Sequence, residues 1–249
     1  MHITRTKTVI HCVHSDAQKA RARFVGVMHT KDHQSLLDIW QSVQRIEDES
    51  LAGITSNSDQ EKLVIVLLVR IIEFSKDCFT LIQAQRITSV PIIQRSAVET
   101  FLDMKCMIKD KDYEQNMQNE YNYYMAGLSA TLNDGEEEKY LKRIKEAKKI
   151  KIQGKFKKAG ETPLYKNFYI PLSRHAHGNL DRVVVDHTKN GNIIFNLEPT
   201  EERLLLTLNQ VVSLKAEALK ECLSFIENRK KFVKELSMLL NELNKLDDA

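Results

Sequence analysis

The sequence contains few of the residues that form turns, and it lacks a long hydrophobic run. Its 249 residues include 8 glycines and 4 prolines, whereas an all-β or doubly wound protein of this length needs many more turn residues. The most apolar stretch, residues 63–72, is interrupted by Arg70 and is far shorter than the roughly 20 residues of a bilayer helix. The first ten residues lack the apolar core of a signal peptide. We therefore expect an all-α protein in the cytoplasm.

The four cysteines show no spacing typical of a metal site or a local disulfide. They are far apart, contain no C-x-x-C pair, and at least three lie in predicted helices among apolar neighbours. We expect buried, reduced thiols. The cysteines are Cys12, Cys78, Cys106 and Cys222.

Histidines near the N-terminus are the one candidate metal site. His29 and His33 are one helical turn apart, and His11, Cys12 and His14 lie nearby. Solvated histidines on an N-terminal segment are the alternative, because none of these spacings is diagnostic. We therefore predict no metal.

The charge is unevenly distributed. The net charge is +3, but residues 139–158 contain ten basic residues and one acid, so this segment carries +9. The other 229 residues hold 27 basic against 33 acidic side chains, a net of −6. One basic segment therefore lies within an otherwise acidic chain.

Helical periodicity dominates the rest of the chain. We predict an N-terminal segment, residues 1–33, and one helical bundle domain, residues 34–249. Helices are predicted over about residues 16–28, 34–51, 59–85, 90–108, 112–132, 136–157, 169–180 and 200–246.

Two features interrupt or extend this bundle. Apolar triplets at 183–185 and 193–195 flank Asn190-Gly191, which predicts a small β-hairpin insert over about residues 183–196. The long C-terminal helix would span about 70 Å if unbroken. Either it projects as a coiled-coil seam that forms a homodimer, or it bends near Asn228 and folds back.

Two polar elements predict a site. Arg95 and Glu99 are one turn apart and can hold each other, which leaves guanidinium donors for an anion. On another helix, His177 is the natural acid or base near neutral pH. The alternative is a structural role, in which these side chains form a hydrogen-bond network with one another inside the bundle and bind no ligand. The candidate catalytic residues are Arg95, Glu99, Ser173, Arg174, His177 and Asn179.

Three features of the chain occur in the same order as in a known family: the motif R-S-x-x-E at residues 95–99, the motif L-S-x-x-x-H-G-N at residues 172–179, and a turn-containing insert before the final helix. In these features the chain resembles a family of uncharacterised bacterial helical proteins within the HEPN superfamily. The resemblance implies a HEPN-like component of a bacterial antiphage-defence or toxin–antitoxin system that acts on RNA. It also implies a candidate metal-independent ribonuclease without a cofactor, and a cognate antitoxin or defence protein as partner. A non-catalytic helical module that binds a protein or a nucleotide is the alternative.

The HEPN ribonuclease motif R-x(4-6)-H does not identify the catalytic pair. Arg182 to His187 matches it, as do residues 5–11 and 23–29, while 12 arginines and 8 histidines in 249 positions give about one match by chance. His177 with Arg174 or Arg95 is at least as good a candidate.

The basic segment is the predicted nucleic-acid surface. Its side chains would contact the phosphates of RNA or another polyanion without reading bases, although a solvated helix face is the alternative. The tyrosines of the preceding helix would stack on bases or pack in the core. The predicted contacts are Lys142, Arg143, Lys145, Lys149, Lys155, Lys157 and Lys158.

Overall fold

The computed structural model describes residues 31–133, 135–144, 150–177, 188–189, 192–193, 199–226 and 229–247. The helices in this part of the chain are α1 (Lys31–Leu51), α2 (Asp59–Gln83), α3 (Val90–Lys109), α4 (Tyr113–Leu132), α5 (Glu137–Leu141), α6 (Ile152–Ala159), α7 (Thr162–Leu164), α8 (Ile170–Ala176), α9 (Glu201–Phe225) and α10 (Lys230–Asp247). A 3₁₀ turn, Ile87–Ser89, precedes α3, and a π-helix, Tyr165–Tyr169, joins α7 to α8. The prediction of an all-α bundle is confirmed for these residues.

Helices α2, α3 and α9 pack together at the centre of the bundle, and α1 and α10 pack on α9. Ser58 starts α2, since its hydroxyl accepts a hydrogen bond from the Glu61 backbone N–H at 3.1 Å. Side chains such as Val64, Leu68 and Ile71 of α2 are fully buried. On its other side α3 carries α6 and α8. Helix α3 is thus the scaffold of the polar elements predicted above.

The predicted β-hairpin insert over about residues 183–196 is wrong in that form. Within the described residues the pairing is limited to two-residue strands, β1 (Thr188–Lys189) and β2 (Asn192–Ile193). A ladder this short is not a hairpin of two apolar arms, since an isolated two-stranded hairpin is marginally stable at best. Most of both predicted apolar arms lies outside the described residues.

The prediction of a single long C-terminal helix is also wrong. Helix α9 ends at Phe225, and Ile226 has extended backbone angles, φ −85° and ψ 122°. Helix α10 then packs back on α9 and α1. Its apolar residues Leu236 and Leu243 are buried within the chain. The alternative of a bend near Asn228 is confirmed, because folding back buries the apolar seam that a projecting helix would expose.

The predicted basic helix over about residues 136–157 is divided. Helix α5 ends at Leu141, residues 145–149 lie outside the described residues, and α6 begins at Ile152. The other predicted helices lie within a few residues of their observed bounds, except that residues 16–28 are not described. No helix in the described residues is long and apolar enough to cross a membrane.

The three cysteine thiols in the described residues are buried, as predicted. Cys78, Cys106 and Cys222 are free and buried, and burial raises their pKa to about 12, 11 and 12 respectively. They are therefore inert, protonated core residues. Cys12 lies outside the described residues.

Candidate functional site

Arg95, Glu99 and His177 meet at the junction of α3 and α8. Arg95 Nε donates to Glu99 Oε1 at 2.9 Å, and Arg95 Nη1 lies 2.9 Å from His177 Nε2. The side chain of Arg95 is 24% exposed and that of Glu99 is 39% exposed, while His177 is exposed. The sequence predicted this proximity. The cluster is open to solvent on the histidine side, so a large ligand can reach it.

Tyr169 is a fourth member that the sequence analysis missed. Its hydroxyl donates to Glu99 Oε1 at 2.6 Å, and its ring faces the Arg95 guanidinium at 5.6 Å. The side chain comes from the π-helix, whose wider turn changes the angular position of the residues that follow it. It packs on Tyr165 and Phe156, with ring centroids 5.9 and 5.2 Å away. The clue in the sequence was the aromatic spacing of Tyr165, Phe168 and Tyr169.

Electrostatics fix the protonation of these groups. Burial alone would lower the pKa of Arg95, but hydrogen bonds with Tyr169 and Glu99 outweigh it and raise the pKa, so the guanidinium stays charged. Burial and the bond to Glu99 raise the pKa of Tyr169, so the phenol keeps its proton and remains a donor. Glu99 therefore receives two hydrogen bonds on one oxygen and orients Arg95.

The contact between Arg95 and His177 also sets the histidine tautomer. A guanidinium has five N–H donors and no acceptor. Nε2 of His177 must therefore accept, and the neutral ring carries its proton on Nδ1. The single lone pair of Nε2 is used in this contact, so Nε2 becomes available as a base only when the contact with Arg95 breaks. A base and a fixed cation are thus adjacent, an arrangement suited to removing a proton beside an anionic group.

The remaining predicted catalytic residues are less closely involved. Ser173 lies one turn before His177, and its backbone carbonyl accepts from the His177 N–H at 3.1 Å. No side-chain contact joins Ser173 to the cluster within the described residues. Arg174 is exposed on α8. Asn179, together with Arg182 and His187, lies outside the described residues, so their roles stay predictions.

The basic segment is less available than its sequence indicates. Lys155 is 8% exposed and forms ion pairs with Asp103 at 2.8 Å and Glu120 at 3.0 Å. It therefore does not face solvent, as contact with a polyanion requires. Lys158 pairs with Asp110 at 2.5 Å.

Other cations of this segment remain on the surface. Lys142 is exposed and pairs with Glu138 at 2.7 Å, and Arg143 lies over the Tyr140 ring. Lys157 is exposed and has no carboxylate partner among the described residues. Lys145 and Lys149 lie outside those residues. Lys142, Arg143 and Lys157 are thus exposed cations of this segment.

Metal-ligating groups do not cluster in the part of the chain that is described. No set of three or more histidine, cysteine or carboxylate side chains is close enough to hold an ion there. His33 is 3% exposed, so it is a buried residue and not a solvated one. His11, Cys12, His14 and His29 lie outside the described residues.

A second concave feature lies beside α3. A pocket of about 420 Å³ is lined by α3, α9, the segment 161–168 and one residue of α10. It shares no lining residue with the cluster of Arg95, Glu99, Tyr169 and His177.

The comparisons with known proteins give a family but no activity. A model described as a family of unknown function (DUF5677) matches residues 61–193, which is 133 of the 249 residues. The matched range contains all four residues of the cluster. No curated protein and no solved structure matches the chain.

Proposed function

We propose that this chain, which belongs to the DUF5677 family of unknown function, is a HEPN-like component of a bacterial defence or toxin system that cleaves RNA without a metal. The observation that carries the proposal is the 2.9 Å contact between Arg95 Nη1 and His177 Nε2 at a solvent-exposed junction. It pairs a proton acceptor with a fixed cation. The resemblance of residues 95–99 and 172–179 to HEPN-related proteins supplies RNA as the substrate class.

The proposed reaction uses the 2′-hydroxyl of RNA as the nucleophile. His177 Nε2 takes the proton of the 2′-hydroxyl, and the 2′-oxygen forms a bond to the adjacent phosphorus. The bond from phosphorus to the 5′-oxygen breaks, and the leaving oxygen takes a proton from water. The products are a 2′,3′-cyclic phosphate and a 5′-hydroxyl end. His177 then returns its proton to solvent.

Arg95 stabilises the phosphorane oxygens in this reaction. Two of its five N–H donors are engaged with Glu99 and His177. The incoming phosphate would replace the contact with His177, which frees Nε2 as a base and gives the guanidinium an anionic partner. Glu99 and Tyr169 are positioning residues, because Glu99 holds the guanidinium and the Tyr169 hydroxyl holds Glu99.

Substrate chemistry tests this proposal directly. We expect the purified full chain to cleave end-labelled RNA in EDTA and to leave the same sequence with 2′-O-methyl groups intact, because the methyl group removes the nucleophile. The products should carry 2′,3′-cyclic phosphate ends, read by mass spectrometry. Cleavage of the 2′-O-methyl strand, or activity abolished by EDTA, would overturn the mechanism.

The cognate partner and the oligomeric state belong to the same proposal. A toxic ribonuclease needs a restraining antitoxin or an activating defence protein, whereas the homodimer was predicted from the apolar seam of the C-terminal helix. The seam that predicted a dimer is buried by α10, so the dimer no longer has support from the C-terminal helix.

A non-catalytic interaction module is the second candidate. The observation that favours it is the hydrogen-bond network that joins Arg95 and Glu99 of α3 to Tyr169 and His177 at the two ends of α8. These contacts hold α3 and α8 together without a ligand. In that case His177→Ala lowers stability and no tested RNA is cleaved by the wild type. Cleavage that His177→Ala abolishes would exclude it.

A further inference from the structure

The pocket beside α3 has the size of a small-molecule site. Its volume of about 420 Å³ falls within the roughly 300–1,000 Å³ of ligand pockets. One wall is apolar. Phe101 of α3 is 4% exposed, and Leu164 and Phe168 of the segment after α6 are half-buried. This wall provides an apolar surface for the body of a ligand.

An excess of carboxylate surrounds Lys105, which lies one turn after Phe101 on α3 and has its Nζ 5.4 Å from the Phe101 ring centroid. Lys105 Nζ lies 2.5 Å from Glu161 Oε1 and 3.1 Å from Glu221 Oε1. Burial alone would lower the pKa of Lys105, but hydrogen bonds to the two carboxylates outweigh it and raise the pKa. One ammonium therefore faces two carboxylates, which leaves a formal charge of −1. The second oxygen of each carboxylate has no partner among the described residues.

The remaining charged residues of the lining cancel. Lys220 Nζ pairs with Glu217 Oε2 at 2.6 Å. Among the described residues no other charged side chain lines the pocket, so this charged lining carries a net −1. An anionic ligand would meet an excess of carboxylates and two lysines already paired.

We propose that this pocket binds a small organic cation, a protonated amine or guanidinium attached to an apolar or aromatic body. The cationic head donates hydrogen bonds to the unused oxygens of Glu161 and Glu221, which are charge-assisted contacts. The body packs on Leu164 and Phe168, while the Phe101 ring already faces the Lys105 ammonium at 5.4 Å. A bare metal ion does not fit, because the described residues contain no metal-ligating cluster.

The charge of the ligand is the property to vary. The probes are 2-phenylethylamine, 2-phenylethanol and phenylacetate, which share one aromatic body and differ in the charge of the head. In an NMR titration of the full chain labelled with ¹⁵N, we expect saturable shifts for the amine at residues of the pocket. The alcohol and the carboxylate should bind at least about tenfold more weakly.

Two variants separate the pocket from general surface charge. Glu221→Gln and Glu161→Gln each remove half of the proposed acceptor pair and should weaken amine binding about tenfold. The matched control is Glu235→Gln, which removes an ion-paired carboxylate of α10 away from the pocket and should leave amine binding unchanged. Two carboxylate variants are used so that a folding defect in one does not decide the result.

The proposal is overturned by any of three results. They are the absence of saturable shifts with the amine, equal or tighter binding of phenylacetate or the alcohol, and amine binding that survives both pocket variants. None of these results bears on RNA cleavage, because the pocket and the Arg95–His177 cluster share no residue.

Discussion

At the scale of single residues, the hydroxyl of Tyr169 is the contact that makes Glu99 a fixed anchor for Arg95. We expect Tyr169→Phe to lower the free energy of unfolding by about 1 kcal/mol. A hydrogen bond to a charged acceptor contributes about 1.5–3 kcal/mol, and the 39% exposure of the Glu99 side chain reduces it. Urea unfolding followed by circular dichroism measures the change.

Tyr165→Phe is the matched control for that variant. Tyr165 stacks on Tyr169 in the same π-helix, but its hydroxyl has no hydrogen-bond partner among the described residues. Its removal should change stability by less than about 0.5 kcal/mol. Equal effects of the two substitutions would show that the bond to Glu99 does not contribute to stability, because both variants keep the aromatic ring.

The buried carboxyl of Glu47 should make stability depend on pH. Its side chain is 7% exposed and lies 2.6 Å from Lys215 Nζ and 2.7 Å from Lys76 Nζ. Burial alone would raise the pKa of Glu47, but the hydrogen bonds to Lys215 and Lys76 outweigh it and hold the pKa below 4.5. The unfolded chain therefore binds more protons in this range, and the stabilisation present above the unfolded pKa is lost as pH falls through the folded pKa.

The comparison that isolates this carboxyl uses the double variant Glu47→Gln with Lys215→Met, which leaves no uncompensated buried charge. We expect the wild type to lose more free energy of unfolding than the variant between about pH 7 and about pH 3. Urea unfolding at each pH gives both values. Parallel losses in the two proteins would contradict the assignment.

At the scale of elements, Lys155 is the residue that holds α6 against α3 and α4. It pairs with Asp103 of α3 and Glu120 of α4, and Tyr113 donates to the same Asp103 at 2.7 Å. We expect Lys155→Met to lower the free energy of unfolding by about 3 kcal/mol, because it leaves two carboxylates without their shared cation. Lys157→Met, at an exposed position of the same helix, should change it by less than about 0.5 kcal/mol.

A small effect of Lys155→Met, similar to that of Lys157→Met, would return Lys155 to the list of phosphate contacts. The measurement is again urea unfolding. The result matters for function because it decides whether Lys155 of α6 is available to bind phosphate or holds the helices together.

The helices and part of the site could be predicted because they depend on local pattern. Arg95 and Glu99 meet since residues four apart share a helix face, and His177 follows from its polar helix. Tyr169 was missed, and Lys155 was predicted as a phosphate contact, for physical reasons. A π-helix changes the phase of side chains, so aromatic spacing alone does not turn Tyr169 towards Glu99. Nothing local distinguishes a buried lysine from an exposed one when its carboxylate partners come from other helices.

At the scale of the whole molecule, the basic segment is partly neutralised by the rest of the chain. The sequence gives residues 139–158 a net charge of +9, but Lys155 and Lys158 are ion-paired with Asp103, Glu120 and Asp110 of neighbouring elements. Long-range pairing of this kind cannot be counted from composition. Guidance of RNA by this segment therefore depends on its remaining surface lysines.

The spatial relation between that segment and the cluster follows from α3. Cys106 Sγ contacts the Lys155 carbonyl, and Cys106 lies eleven residues beyond Arg95 on the same helix, a separation of about 16 Å along the axis. RNA that contacts both α6 and the cluster would have to cover about this distance. This is a distance that a few nucleotides can span.

The central claim is that Arg95 and His177 act together in RNA cleavage, and the most direct test is the rate of single-turnover cleavage in EDTA. We expect His177→Ala and Arg95→Ala each to lower the rate of the wild type at least about 100-fold, while His175→Ala, a matched histidine on the same helix, retains it. An inactive wild type, or a His177→Ala variant that cleaves as fast as the wild type, would contradict the account.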